Sequence, residues 1–175
     1  VEKGAENPEP CRERRTGSLR LSGVWNAYDK EKGEYHTMKK IESGSLAVML
    51  DEETLGLRIE KDGVVWNTDP KKTPELIFAE GTYRFLDAEE ISHEVYSFGV
   101  GCGIRSRYAG FAGTPYAFET IIWIEAVDET FWMEWIPLCE EGLHPVKVLW
   151  PTAMEFTNGR DDWYTLLTEG QGLLI

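Results

Sequence analysis

Apolar and polar positions alternate along this chain in short runs, and turn-forming residues separate the runs at close spacing. From Ser45 to Asp51, Leu46, Val48 and Leu50 are set against smaller or polar neighbours; Leu57 and Ile59 repeat the alternation, and Val64, Val65 and Trp66 follow. A period of two is the signature of a half-buried strand. The segment DEETLG turns the chain once and Lys61-Asp62-Gly63 turns it again. Asp-Gly suits the second turn because a type I′ turn needs positive φ at both central residues, which glycine takes without steric cost. The pattern predicts a three-stranded meander, closed by Asn67-Thr68-Asp69-Pro70.

The same reading extends in both directions. LRLSGVWNAY reads as an opening strand, followed by a polar turn around Gly33. ELIFAE and TYRFLDAEE are two further short β-like runs parted at Gly81, and DAEEI admits one or two helical turns over Leu86 to Ile91. In ISHEVYSFGVGCGIRSRYAGF the glycines Gly99, Gly101 and Gly103 invite a phosphate-loop reading. Such a loop follows a buried strand and opens a helix, whereas here IRSRY continues as strand-like sequence. Strands with close backbone approach or bulges at the glycines account for them better.

The densest apolar run, Phe118 to Phe156, holds four of the seven Trp. Phe118 to Val127 and Phe131 to Leu138 are nearly continuous in β-branched and aromatic residues, which predicts strands covered on both faces. Asp128-Glu129-Thr130 then links a hairpin, and Pro137 ends the second strand or sits at an edge. Trp123, Trp132 and Trp135 are expected to fill the core or an interface with a missing neighbour. The remaining pieces, HPVKVLWP, AMEF and WYTLLTEGQGLLI, alternate with turns such as Asn158-Gly159. Roughly 10 to 14 short strands without a long helix predict an all-β fold, a large antiparallel β-sandwich with little helix, since an immunoglobulin-like one needs only about seven strands.

Composition narrows the function classes. A chain of 175 residues that is 42% hydrophobic and 12% aromatic forms a packed core. Residues 1–17, with Pro8, Pro10 and mixed charge, read as a flexible arm ahead of one domain over 18–175. The net charge of −13 repels phosphate backbones and anionic lipid, and no stretch reaches the roughly 20 apolar residues of a membrane span, so neither nucleic acid nor membrane is an expected partner. Cys11, Cys102 and Cys139 lack C-x-x-C spacing, and His36, His93 and His144 lie far apart in unlike contexts. No metal site and no cofactor are expected. One bridge between Cys11 and Cys139 is weighed against three ordinary thiols, and the thiols are preferred.

Candidate chemistry lies in rings and charges. Carboxylates such as Glu119 with Glu125, or Glu134 with Glu140, are abundant, but a glycosidase pair must face across a cleft, which spacing does not establish. Flat aromatic side chains beside polar groups suit stacking on a sugar. Trp66 with Asn67, Trp163 with Tyr164 behind Arg160, Asp161 and Asp162, and Trp25 with Asn26 and Tyr28 have that composition, as do Arg105, Arg107 and Tyr108. Arg105, Tyr108, Trp163 and Trp66 are the expected substrate-binding residues, and no catalytic residue is expected in the chain.

The hairpin LAVMLDEETLGLRIEKDGVVWNTDP and the later pieces GCGIRSRYAGF, LHPVKVLWPTAMEF and DDWYTLLTEGQGLLI resemble, in this order, the strand and turn signatures near the start of bacterial glycoside hydrolases related to the endo-α-N-acetylgalactosaminidases. The resemblance covers roughly Leu46 to Ile175. It implies a galactose-mutarotase-like β-sandwich ahead of a catalytic barrel that carries the family's carboxylates. The expected function is that of a non-catalytic accessory domain of a glycoside hydrolase, with carbohydrate and the downstream catalytic domain, or a partner chain, as its partners. A free-standing carbohydrate-binding or surface-interaction protein is the alternative, and a sandwich epimerase or lyase a third. The apolar end Leu173-Leu174-Ile175 reads as a strand stopped in mid-phrase and suggests a polypeptide continuing past it. An extracellular or periplasmic setting is favoured over a cytoplasmic one.

Overall fold

The computed structural model of the chain describes residues 19–29, 34–138, 143–154, 166–167 and 173–174, with side chains over 36–138 and 143–154. Strands β1 (Leu19–Asp29), β2 (Glu34–Ser43), β3 (Leu46–Asp51), β4 (Leu57–Lys61) and β5 (Val64–Asn67) form a five-stranded antiparallel sheet in chain order. Asp62 and Gly63 both take positive φ, 52° and 80°, as the β4–β5 turn requires. The β3–β4 turn is held by Asp51, whose Oδ1 accepts from the backbone of Glu53 and Thr54. Strands β6 (Glu75–Ile77) and β7 (Thr82–Arg84) follow. The helical turns admitted over Leu86 to Ile91 are replaced by a single 3-10 turn at Phe85–Asp87, because the chain is already strand again from Glu90.

The second main sheet is another run of hairpins: β8 (Glu90–Phe98), β9 (Gly101–Phe111), β10 (Thr114–Glu125) and β11 (Thr130–Pro137), in spatial order β11-β10-β9-β8. Strand β12 (Lys147–Leu149) pairs with β6 to complete the small sheet β12-β6-β7, and β13 (Leu166–Leu167) pairs with β14 (Leu173–Leu174). Among the described residues no helix is long and apolar enough to cross a membrane. The architecture is the expected all-β sandwich.

Two packed regions fill it. Ile41, Leu46, Val48, Leu50, Leu57 and Ile59 of the first sheet meet Cys102, Ile104, Ile122 and Ile124 of the second in an aliphatic layer. Each such side chain, fully buried, contributes about 1.5–3 kcal/mol. Beyond it, Leu76, Phe78, Phe85, Tyr108, Phe111 and Phe118 form an aromatic layer under the small sheet. Between the two lies a polar seam. His93 Nδ1 is 2.7 Å from Ser106 Oγ, the Tyr108 hydroxyl is hydrogen-bonded with Ser106 and Thr120, and Lys39 pairs with Glu52 at 2.6 Å. Burial holds the His93 imidazole below its usual pKa and pushes the Tyr108 phenol up to about 12.

At one end of the sandwich, Glu129 in the β10–β11 turn clasps the first sheet. Its Oε2 accepts from Ser45 Oγ at 2.9 Å, and Lys61 Nζ donates to its backbone oxygen at 3.3 Å. Gly44 packs so closely against the Glu129 carboxylate that a side chain there would overlap it. The glycines of β9 act similarly: a Cβ on Gly101 would overlap the Ile124 carbonyl oxygen, and one on Gly103 would stand 2.6 Å from the Tyr96 ring. Close approach, rather than a bulge, is the reason for both; the described bulges fall at Ser22/Val24 and Thr114/Ala117.

Gly101→Ala is therefore expected to cost about 1–3 kcal/mol in urea denaturation, as overpacking does. Gly99→Ala, whose Cβ meets open space, should stay within about 0.5 kcal/mol of the parent; equal losses at both sites would refute the close-approach account. A second outcome concerns pH. Tyr108 must remain protonated in the fold, so its contribution holds below the ordinary tyrosine pKa near 10 and is lost as pH rises from there towards 12, on the order of 2–3 kcal/mol in all. Tyr108→Phe should cost about 1–3 kcal/mol at pH 7, since Ser106 and Thr120 lose a partner. The stability difference between parent and variant should shrink between pH 10 and 12, and a constant difference would contradict it.

Candidate functional site

The outward face of β8–β11 is built by the period of two. The pairing aligns Tyr96, Gly103, Trp123 and Trp132 in one row across the four strands, and Glu94, Arg105, Ile121 and Glu134 in the next. Gly103 leaves room for the Tyr96 ring to lie over the backbone, and Gly101 does the same for Phe98. The rings form a continuous series: Tyr96 to Phe98 at 5.7 Å, Phe98 edge-on to Trp123 at 5.6 Å, and Trp123 nearly parallel to Trp132 at 5.8 Å. Trp132, on the edge strand, is 51% exposed. Strands β10 and β11 are thus covered on their inner faces but partly open outward, contrary to the expectation from their apolar runs. The outward Trp and Ile positions belong to this aromatic face.

Its polar groups are tied to one another. Arg105 donates to Glu94 at 3.2 Å, lies 3.8 Å from Glu119 and sits 5.2 Å above the Tyr96 ring. Trp123 Nε1 donates to Glu134 at 3.3 Å. Exposed pairs of this kind contribute about 0–1 kcal/mol each, so they orient the side chains more than they stabilise the fold. Flat rings bordered by carboxylates and a guanidinium suit either the apolar face of a sugar or an apolar protein surface.

Of the residues expected from sequence, Arg105 stands on this face. Tyr108 does not, because it lies three positions after Arg105 and an odd spacing reverses the face of a strand. Its ring is 1% exposed, stacked on Phe118 at 5.0 Å and tilted against Phe85. The sheet divides the Arg105, Arg107 and Tyr108 cluster, and Tyr108 is a core residue. Trp66 is half-buried against the aliphatic layer at the β5 edge. Trp163 lies outside the described residues, as do Cys11, Cys139 and the arm 1–17; Trp25, Asn26 and Tyr28 lie on β1, their side chains also outside. The buried Cys102 is a free thiol.

Carboxylate pairing fares no better. Glu119 and Glu125 share one face of β10 six residues apart, roughly 20 Å along a strand. That exceeds the roughly 5–10 Å of a glycosidase pair. Glu140 lies outside the described residues. His36 is buried, its Nδ1 3.2 Å from Asp51 and 3.5 Å from Glu53. Among the described residues no three His, Cys, Asp or Glu side chains cluster to hold a metal ion. What sequence reasoning missed is the aromatic row itself. Its signal was present in Tyr96-Ser97-Phe98 and in glycines at period two, which put rings and gaps on one face.

The motifs quoted for the resemblance meet in space. Thr68 of VWNTDP bridges to Met154 of LWPTAM, and the Asp69 amide donates to the Ala153 carbonyl. No protein-family model matches the chain, and no curated protein does. Solved structures of the alpha-N-acetylgalactosaminidase NagBb from Bifidobacterium bifidum do. Its Gal-NHAc-DNJ and GalNAc complexes match at TM-scores of 0.71 and 0.71, and its ligand-free form at 0.67. Each is 36% identical over 79% of this chain. The chain spans 22% of the enzyme's length in the two complexes and 21% in the ligand-free form. A domain of a glycoside hydrolase therefore fits this chain.

Proposed function

We propose that the chain is a non-catalytic β-sandwich domain, of galactose-mutarotase-like type over residues 18–175, in a glycoside hydrolase that releases α-linked N-acetylgalactosamine. In this reading it supports a catalytic domain carried downstream in the same polypeptide. The observation that carries it is the likeness to about a fifth of NagBb at 36% identity. The outward carboxylates, bound to Arg105 and Trp123 on an open sheet face, agree with a supporting rather than a catalytic role.

A second reading, a free-standing carbohydrate-binding protein, is favoured by the exposed Trp132 ring, which lies beside the Trp123 indole bonded to Glu134. The two separate in one set of measurements. Under the first, the 175-residue chain alone releases no p-nitrophenol from p-nitrophenyl α-N-acetylgalactosaminide, and a polypeptide extended by the coding sequence downstream of Ile175 does. Under the second, the gene ends at Ile175, and the chain binds glycans on an array in a manner abolished by Trp132→Ala with the fold retained. Hydrolysis by the isolated chain would overturn both.

A further inference from the structure

Resting on that reading, we propose that the outward face of β8–β11 docks against the catalytic part of the glycosidase, which meets it with an apolar centre and a basic rim. The two outer faces of the sandwich differ in kind. The first sheet carries Lys40, Glu42, Arg58 and Glu60 outward, with Lys40 paired to Glu42 and Arg58 3.6 Å from Glu60, while Met38 and Met49 on the same side are buried. The groups it shows to water there are charged, as on the solvated side of an antiparallel sheet. At the corresponding level the second sheet presents Tyr96, Phe98, Trp123 and Trp132. The apolar surface continues past the strands into the adjoining turns, where Val100 is 54% and Val127 60% exposed and the Ala126 amide donates to the Val100 carbonyl. A contiguous apolar face rimmed by polar groups marks an interaction site.

Charge selects the occupant. Glu94, Glu119, Glu125 and Glu134 stand around the rings against two cations of the same face. These are Arg105, already engaged by Glu94 and Glu119, and the exposed Arg107 opposite Glu119, so the balance of the face is acidic. A second copy of this chain, itself carrying −13, would set one acidic rim against another. A surface with Lys or Arg around an apolar centre complements it. A sugar would need free donors and acceptors beside the ring. Here the Trp123 indole and the Arg105 guanidinium are used within the face, and the exposed Arg107 stands two rows away from Tyr96 and Trp123, so beside the rings the face offers chiefly ring and methyl surface.

Oxidative footprinting of Trp132 reads this without a substitution. The labelling rate is compared between the 175-residue chain and the hydrolytically active longer polypeptide, and a fall of at least tenfold in the longer one is expected. In the longer polypeptide, Trp132→Lys should also split a single thermal transition into two. Unchanged labelling of Trp132 in an active longer polypeptide would overturn the docking and leave the domain reading intact. An inactive longer polypeptide would instead remove the domain reading, and the docking with it. Protection of Trp132 in the isolated chain by N-acetylgalactosamine, or by raising the chain's own concentration, would assign the face to a sugar or to a second copy and equally overturn the proposal.

Discussion

Strand β9 imposes the constraint on which the rest depends. It is paired on both sides, and its side chains alternate between a core and an open face: Cys102, Ile104, Ser106 and Tyr108 point inward, Gly101, Gly103, Arg105 and Arg107 outward. A slip of one residue would carry two arginines into the core and expel Ile104 and Tyr108. The cost of burying an unpaired guanidinium is large enough to forbid that register. With β9 fixed, β8 and β10 follow by pairing, and the glycines fall where rings from β8 must cross the backbone. The aromatic face and the packed core are therefore two consequences of one register.

This explains what could be read from sequence. Alternation and Asp-Gly chemistry located β3, β4 and β5 because each signal there is local: Leu46, Val48 and Leu50 share a face within one strand, and Asp62-Gly63 sets its own turn. The face occupied by Tyr108 was equally local, yet grouping it with Arg105 and Arg107 by proximity in sequence overlooked the parity of the strand. The outward aromatic row was harder to see. It is assembled from four strands, and Trp123 looks the same in the sequence whether its neighbour across the sheet is Trp132 or solvent. The continuous apolar run of β10 therefore suggested two covered faces, when one of them is, among the described residues, covered by its own rings and partly open.

The motifs behind the glycosidase resemblance occupy joints of the scaffold. Thr68 binds the Leu57 amide through its hydroxyl, pairs with Met154 and precedes Asp69, whose amide meets Ala153. Trp66, Trp150 and Met154 each pack against the aliphatic layer. These residues are constrained by packing and backbone pairing, which is why the motifs mark the scaffold. Of the motif tryptophans within the described residues, Trp66 and Trp150 are half-buried against the core.

The outward face is prepared for being covered in a way an ordinary surface is not. Removing water from a lone charge costs several kcal/mol, and pairing recovers much of it. Arg105 is held between Glu94 and Glu119 above the Tyr96 ring, and Glu134 accepts from Trp123. In water these contacts are worth little. Beneath a partner, where the local dielectric falls, each would strengthen while the groups it joins stay satisfied. The arrangement lowers the polar cost of burial at the centre of the face and leaves the less engaged acids at its rim. That distribution gives an apolar, basic-rimmed partner the largest gain and a hydroxyl-rich ligand the smallest.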